Sequence, residues 1–397
     1  MGNKTIIENS EKYLFHLYNR FNVAFVKGES VYLYDADGKK YLDFSSGIGV
    51  NAIGYNDKEF NDYIKNQVDK LYHVSNLFYT DALPLAAEKL VEISKLSKVF
   101  FTNSGAEAIE GALKTVKKYG ILKNDKKTKI IAMNHSFHGR TVGALSVTGT
   151  EHYREPFYPL MDGVQFADFN NIDSVKKLMN ENVCAVILET VQGEGGIFSA
   201  DKDFLKQVRE LCDKYDALLI IDEIQCGMGR TGAMYAYQKY DIMPDILTTA
   251  KALGLGLPVG AFVVNDKVAN SSMVPGDHGT TYGGNPLVTA AVYKSIDIVQ
   301  KRKLTENVNT LEKYFDDTLD YFIDKYDFVK ERRGMGFMKG LVVDKPLRDI
   351  LEKALEEGLV ILSAGKDVLR FLPPLIIKKE HIDEFKDKLT KVFDGLK

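Results

Sequence analysis

The chain is poor in cysteine, holding three in 397 residues: Cys184, Cys212 and Cys226. The number is odd and no Cys-x-x-Cys spacing occurs, which argues against a disulfide or zinc framework and for a reducing compartment. It also lacks a charge bias, since 52 basic and 55 acidic side chains leave a net charge of −3. That balance offers nothing to attract nucleic acid or an anionic membrane surface. No apolar run nears the ~18 residues a membrane helix requires. The N-terminus shows no apolar signal-peptide core. Met1-Gly2 opens like a myristoylation motif, but position 6 is Ile6 instead of Ser or Thr. The expectation is a cytoplasmic protein without nucleic-acid or membrane partners. Two nucleotide signatures are missing as well. Gly254 and Gly256 have no third glycine, the position being Val259, and no G-x-x-x-x-G-K-S/T occurs. There is no internal repeat, low-complexity tract or clear linker.

What the chain does have is an alternation of short apolar runs and helical patterns. The runs are 99–102, 129–133, 183–189, 217–221, 246–249 and 259–264. They are rich in Val, Ile and Leu without polar alternation, as strands buried on both faces are. A helix is expected over 203–215, and the order predicts an α/β protein with a largely parallel sheet. The ends read differently. Residues 28–44 alternate around Asp35-Ala36-Asp37-Gly38, a hairpin signal. Residues 337–343 and 368–372 look like strands among helices. A chain of this length exceeds one ordinary core. The expected division is a large domain over 51–289 and a smaller α+β domain from 1–50 and 290–397. The Lys-rich stretch 123–129 reads as a solvated turn, and Gly120 as a helix C-cap.

Lys251 ends an apolar strand and opens into a glycine-rich loop. Burial there disfavours the charged form, and a neutral amine can form a Schiff base with an aldehyde. The run 218–221 ends in Asp222-Glu223. A Schiff-base lysine with a strand-end aspartate is the pairing that pyridoxal 5′-phosphate needs: one holds the aldehyde, the other keeps the pyridine nitrogen protonated. Sheets of this kind bind ligands beyond their strands' carboxyl ends, and Ser104, Glu189, Asp222 and Lys251 all follow runs.

Three further segments fit that edge. Ser104 and Glu107 form a capping box at a helix whose free N–H groups could hold a phosphate. Alone it reads equally as an ordinary capped helix. In Asn134-His135-Ser136-Phe137-His138-Gly139-Arg140-Thr141, Phe137 could stack on a flat ring and Arg140 could grip a carboxylate. Core packing and surface charge are the plain alternatives. The two histidines have no acidic or cysteine ligand beside them, so no metal is expected. Glu189 and Glu194 sit in a glycine-rich loop; paired carboxylates or a solvated loop both fit, and the glycines point to close approach of a ligand.

Taken in order, these motifs resemble class III (subgroup II) pyridoxal-phosphate aminotransferases over nearly the whole chain. The resemblance rests on Asp222-Glu223-Ile224-Gln225, Gly229-Arg230-Thr231-Gly232, Pro244-Asp245, Lys251-Ala252-Leu253-Gly254, Thr280 to Pro286 and Leu369-Arg370. It implies fold type I, with a mainly parallel seven-stranded sheet between helices. It implies that Lys251 binds the cofactor and moves the substrate proton, that Asp222 pairs with the ring nitrogen, and that Gln225 reaches the ring's phenolic oxygen. Phe137 and Ile224 would sandwich the ring. Gly105 and Ala106 would hold the phosphate, with Ser104, His138, Glu189 and Thr280 around the cofactor. Thr281 would reach the phosphate from the partner subunit, which implies a homodimer with shared active sites. Arg140 would bind the donor's distal carboxylate and Arg370 the α-carboxylate of glutamate. Glu194 would mask Arg370 for donors without a carboxylate there. The implied reaction moves the δ-amino group of N2-acetyl-L-ornithine to 2-oxoglutarate. Ornithine, succinylated donors and 4-aminobutyrate remain open, as do an aminomutase or decarboxylase and a non-catalytic pyridoxal-phosphate protein. Ile109 and Thr190 depart from residues common in relatives. The segment 45–50 has no tyrosine such as ornithine aminotransferases carry, which leaves room for an acyl group.

Overall fold

A computed structural model describes residues 1–396. Seven strands form its main sheet: β1 (Lys98–Thr102), β2 (Lys129–Met133), β3 (Val164–Ala167), β4 (Val183–Glu189), β5 (Leu218–Asp222), β6 (Ile246–Thr249) and β7 (Gly260–Val264). Their order across the sheet is β1-β7-β6-β5-β4-β2-β3. Only β7 runs against its neighbours; the other pairings are parallel. Every residue of β4, β5, β6 and β7 is buried. Leu218 and Ile220 join one apolar cluster, while Leu219 and Ile221 join the other on the opposite face. This two-sided burial is why the runs lack polar alternation. Each such side chain gains about 1.5–3 kcal/mol from leaving water. Strand β3 lies at the sheet edge with three half-buried residues, and its Val-Gln-Phe-Ala pattern does not appear among the predicted runs.

Helix α1 (Gly105–Lys123) covers one face, placing Ala108, Ile109, Ala112 and Val116 in the core. It does not end at Gly120 but runs on to a cap at Asn124. A β-carbon at Gly120 would meet the Lys127 carbonyl oxygen at 2.0 Å, so the glycine serves a close crossing. Lys127 is likewise buried, against the solvated-turn expectation. Its Nζ donates to the carbonyls of Glu181 (3.2 Å) and Tyr215 (2.8 Å), which satisfies a charge that burial would otherwise penalise. Helix α2 (Lys202–Lys214) matches the expected 203–215 within a residue at each end.

The chain ends build two smaller sheets. Phe25–Glu29, Tyr32–Asp35 and Lys40–Asp43 form an antiparallel ladder around the expected turn. There Asp35 Oδ1 accepts from the backbone N–H groups of Asp37 and Lys39. Leu359–Val360 adds to this ladder in parallel, with Leu359 opposite Leu42, so the N- and C-terminal parts share one sheet. Val329–Met335, Met338–Val343, Val368–Phe371 and Leu362–Ala364 form the other. Helix α3 (Pro286–Lys301) packs on the helices Lys58–Lys70 and Ala82–Ser94, while α4 (Leu304–Lys325) and α5 (Lys379–Asp394) pack on the small sheets. Among the described residues no helix is long and apolar enough to cross a membrane.

Candidate active site

Sheet register assembles the site. Asp222 lies opposite Glu189 on one side and Thr248 on the other, so the carboxyl ends of β4, β5 and β6 form one row. Because β7 opposes both β1 and β6, β1 ends at the same edge, with Thr102 opposite Gly260. Ser104 and the start of α1 follow directly. A cavity of 450 Å³ opens over this edge. Twelve of the residues singled out from sequence line it: Ser104, Gly105, Ala106, Phe137, His138, Arg140, Glu189, Glu194, Asp222, Ile224, Gln225 and Lys251.

Lys251 leaves β6 through Ala250 and takes a left-handed backbone conformation, φ 48°. That costs a residue with a β-carbon of order 1–3 kcal/mol and is maintained only where surrounding structure dictates it. Burial lowers the Lys251 ammonium from its ordinary range, and the charge of Glu194 restrains the fall. Among the described residues its Nζ has no hydrogen-bond or ion-pair partner. Such an amine suits attack on a carbonyl carbon.

Asp222 is held on three sides. Its Oδ1 accepts from Ile224 N–H at 3.0 Å and from the Thr248 hydroxyl at 3.1 Å. Its Oδ2 lies 2.7 Å from His138 Nδ1. Burial works against a charged His138, but the Asp222 hydrogen bond and charge outweigh it and raise the imidazole above its usual value. His138 Nε2 is buried without a partner. Glu189 accepts from the Phe137 N–H at 3.1 Å. Burial pushes its carboxyl up to about 8, with the Asp222 charge adding to the rise and His138 opposing it.

At α1 the capping box is half formed. The Ser104 hydroxyl accepts from Glu107 N–H at 3.2 Å. Glu107 turns instead to Asn103, accepting from its N–H at 2.9 Å and its side-chain amide at 2.8 Å. The N–H groups of Gly105 and Ala106 stay unpaired within the helix, as first-turn donors do. A β-carbon at Gly105 would sit 2.8 Å from Ile224 Cδ1, so a larger residue there would push the Ile224 side chain aside.

The glycine-rich loop after β4 presents Glu194 to Arg370. Their side chains form a salt bridge, with Arg370 buried and Glu194 partly exposed. Burial opposes the Glu194 charge, but Arg370 prevails and holds the carboxyl below its usual range. Gln225 joins them: its Oε1 accepts from Arg370 at 3.2 Å and its amide reaches Glu194 at 3.5 Å. A β-carbon at Gly193 would lie 2.1 Å from Gln225 Oε1. This glycine therefore answers a close approach of the protein's own chain, where a ligand was expected. Glu189 and Glu194 do not form an acid pair, since each is engaged elsewhere.

Thr280 and Thr281 line a separate cleft of 530 Å³ with Ser75, Asn76 and Leu77. Thr280 Oγ1 accepts from Asn103, a residue of the main cavity, at 3.2 Å. Arg230 and Asp245, although part of the motifs, act in packing. Buried Arg230 donates to the carbonyls of Phe337 and Pro373. Asp245 binds Arg209 and the Leu219 N–H, each at 2.8 Å. Sequence reasoning did not single out Val50, Thr248 or Tyr153. Val50 lines the cavity, and Tyr153 lies under Arg140, the guanidinium carbon being 3.6 Å from its ring centroid. The position of Thr248 at a strand end was the one available signal.

Known proteins resemble this chain over nearly its whole length. An acetylornithine aminotransferase of Methanocaldococcus jannaschii is 45% identical over 398 residues, covering all of both chains. One from Clostridium acetobutylicum is 47% identical, covering 94% of this chain and 97% of its own. A crystal structure of ornithine aminotransferase from Toxoplasma gondii superposes with a TM-score of 0.95 at 29% identity, over 100% of this chain and 96% of its own. That of N-acetylornithine aminotransferase from Stenotrophomonas maltophilia gives 0.85 at 35%, over 98% and 99%. The class-III aminotransferase family model matches residues 15–393, and the chain belongs to that family.

Proposed function

We propose that the cavity transfers the δ-amino group of N2-acetyl-L-ornithine to 2-oxoglutarate, yielding N-acetyl-L-glutamate 5-semialdehyde and L-glutamate, a step of arginine biosynthesis. The observation that carries this reading is Glu194, paired with buried Arg370, on the wall of a cavity that also holds the unpartnered amine of Lys251. The family's cofactor is pyridoxal 5′-phosphate. The residues fit it: a free buried amine, a fixed carboxylate on the sheet edge, and unpaired N–H groups at a helix start. Bound there, the cofactor supplies an aldehyde that exchanges amines and a ring that accepts the electron pair released with the donor's proton.

The chain's residues do the rest. Lys251 Nζ would take and hold the proton released from the donor carbon. Asp222, held in place by His138 and Thr248, would keep the ring nitrogen protonated. Gly105 and Ala106 would hold the phosphate, Phe137 and Ile224 would hold the ring, and Gln225 would hold its phenolic oxygen. Arg140 binds the donor's carboxylate. Glu194 covers Arg370 while the δ-amine reacts, and uncovers it for the α-carboxylate of glutamate. Val50, from the segment without a tyrosine, borders the cavity and supports an acylated donor over free ornithine.

The site would be completed in a homodimer in which Thr281 of the partner subunit would help hold the phosphate. Leu77, Phe78, Tyr79 and Tyr282 are exposed around the Thr281 cleft, which supports a second copy of the chain there. The sheet shared by Lys40–Asp43 and Leu359–Val360 supports a smaller domain from 1–50 and 290–397 beside a large one over 51–289, α3 crossing between them.

Steady-state rates with N2-acetyl-L-ornithine, N-succinyl-L-ornithine, ornithine and 4-aminobutyrate, each against 2-oxoglutarate, test the substrate. The acetylated donor is expected to have the highest kcat/KM. A higher value for ornithine or 4-aminobutyrate overturns the assignment.

A further inference from the structure

We propose that Tyr153 is a positioning residue that holds Arg140 ready for the donor's carboxylate, and so sets the preference for donors carrying one. The inference rests on the reading of Arg140 given above and deepens it.

Arg140 is exposed at the cavity rim. Among the described residues it makes no hydrogen bond and no ion pair. An arginine so placed would ordinarily sample many rotamers and lose side-chain entropy when a ligand fixes it. Here its guanidinium carbon lies 3.6 Å from the Tyr153 ring centroid and 5.4 Å from that of Phe137. The two rings meet edge to face, centroids 6.0 Å apart at 83°. Tyr153 is thus the nearer platform and Phe137 braces it. A guanidinium seated on an aromatic face keeps its N–H donors in plane and unspent, available for a bidentate carboxylate.

Two features make the platform rigid and leave Arg140 uncontested. The loop between Phe137 and Tyr153 is tied across itself: Gly149 N–H donates to the Ser136 carbonyl at 3.0 Å, and His138 N–H donates to the Thr148 hydroxyl at 3.0 Å. The nearby acid Glu110 is already engaged, accepting from the Thr141 hydroxyl at 2.6 Å and from the N–H groups of Gly143 and Ala144. It does not compete for the guanidinium. The Tyr153 hydroxyl has no hydrogen-bond partner among the described residues, so the ring face is the working part.

A double-mutant cycle on the holoenzyme tests this, reading KM and kcat for N2-acetyl-L-ornithine in Tyr153→Leu, Arg140→Leu and the double variant, with Tyr153→Phe as rescue. Retained cofactor absorbance reports folding, and Tyr153→Met replaces Tyr153→Leu if the latter does not fold. Tyr153→Leu should raise KM roughly three- to thirty-fold, the range of a cation–π contact, with kcat nearly kept. Tyr153→Phe should restore KM, and the Leu substitution should add nothing once Arg140 is gone. An equal Tyr153 effect with and without Arg140, a Phe variant as poor as Leu, or an unchanged KM each overturns the proposal. An unchanged KM in Arg140→Leu instead overturns the underlying reading of Arg140, so the two failures are distinguishable.

Discussion

Arg370, buried, and Glu194, on the wall of the cavity, are 176 residues apart in the chain and form a salt bridge. Arg370 is fixed in mid-sheet, opposite Gly340 on one strand and Leu362 on the other. Glu194 stands on a glycine-rich loop, and Gln225 bonds both. One partner is therefore fixed within a sheet, and the other stands on a loop. Removing Glu194 leaves the buried Arg370 charge uncompensated, which costs about 3–5 kcal/mol in typical cases unless a substrate carboxylate replaces it.

That asymmetry predicts opposite effects on the two half-reactions. Glu194→Ala frees Arg370 for a carboxylate, so the half-reaction with glutamate should be kept or improved. The half-reaction with acetylornithine should slow, on the order of a hundredfold if the exposed arginine displaces the amine by ~1 Å. Stopped-flow traces for each donor separately give the answer. Equal losses for both would mean that Glu194 only supports the fold.

Lys251→Ala should fold and lose the covalent hold on the cofactor. Borohydride reduction of the native enzyme should bleach the cofactor band and leave a label that peptide mapping assigns to Lys251. A label on any other lysine would refute the assignment.

Asp222→Ala should retain cofactor but slow proton removal from the donor carbon. Loss of a charge-assisted hydrogen bond of this kind is worth about 1.5–3 kcal/mol, or more than tenfold in rate. Single-turnover rates decide; a near-native rate in the variant sinks the role proposed for Asp222.

Glu189 gives a pH signature. Its carboxyl is raised in the folded chain from 4.5 to about 8. Between those values the folded state binds a proton that the unfolded state has released, so this group's contribution to stability falls as pH rises through that window. Glu189→Gln removes the dependence. The melting temperature of the variant relative to the native enzyme should therefore increase from pH 5 to pH 8. Glu223, raised by burial to about 8 as well, is present in both proteins and cancels. A difference that stays flat or declines with pH would falsify the buried, protonated Glu189.

Local pattern alone determined the α/β class, six of the seven main strands and the row of Ser104, Glu189, Asp222 and Lys251 at their ends. The reason is that burial on both faces suppresses polar alternation, and residues just past such runs must emerge at one sheet edge when the strands are parallel. The ordered motifs likewise carried the family. Tertiary structure decided what local pattern does not encode. Val164–Ala167 pairs at the sheet edge, where its half-exposed residues leave no continuous apolar run. Lys127 lies buried because two distant carbonyls close over it. Gly193 is needed because Gln225 presses against it. Tyr153 matters only because a loop folds it beneath Arg140. Periodicity records how deeply a residue is buried, while the identity of the group opposite is set by chain closure over long separations, and at Arg370 and Glu194 that closure makes the site.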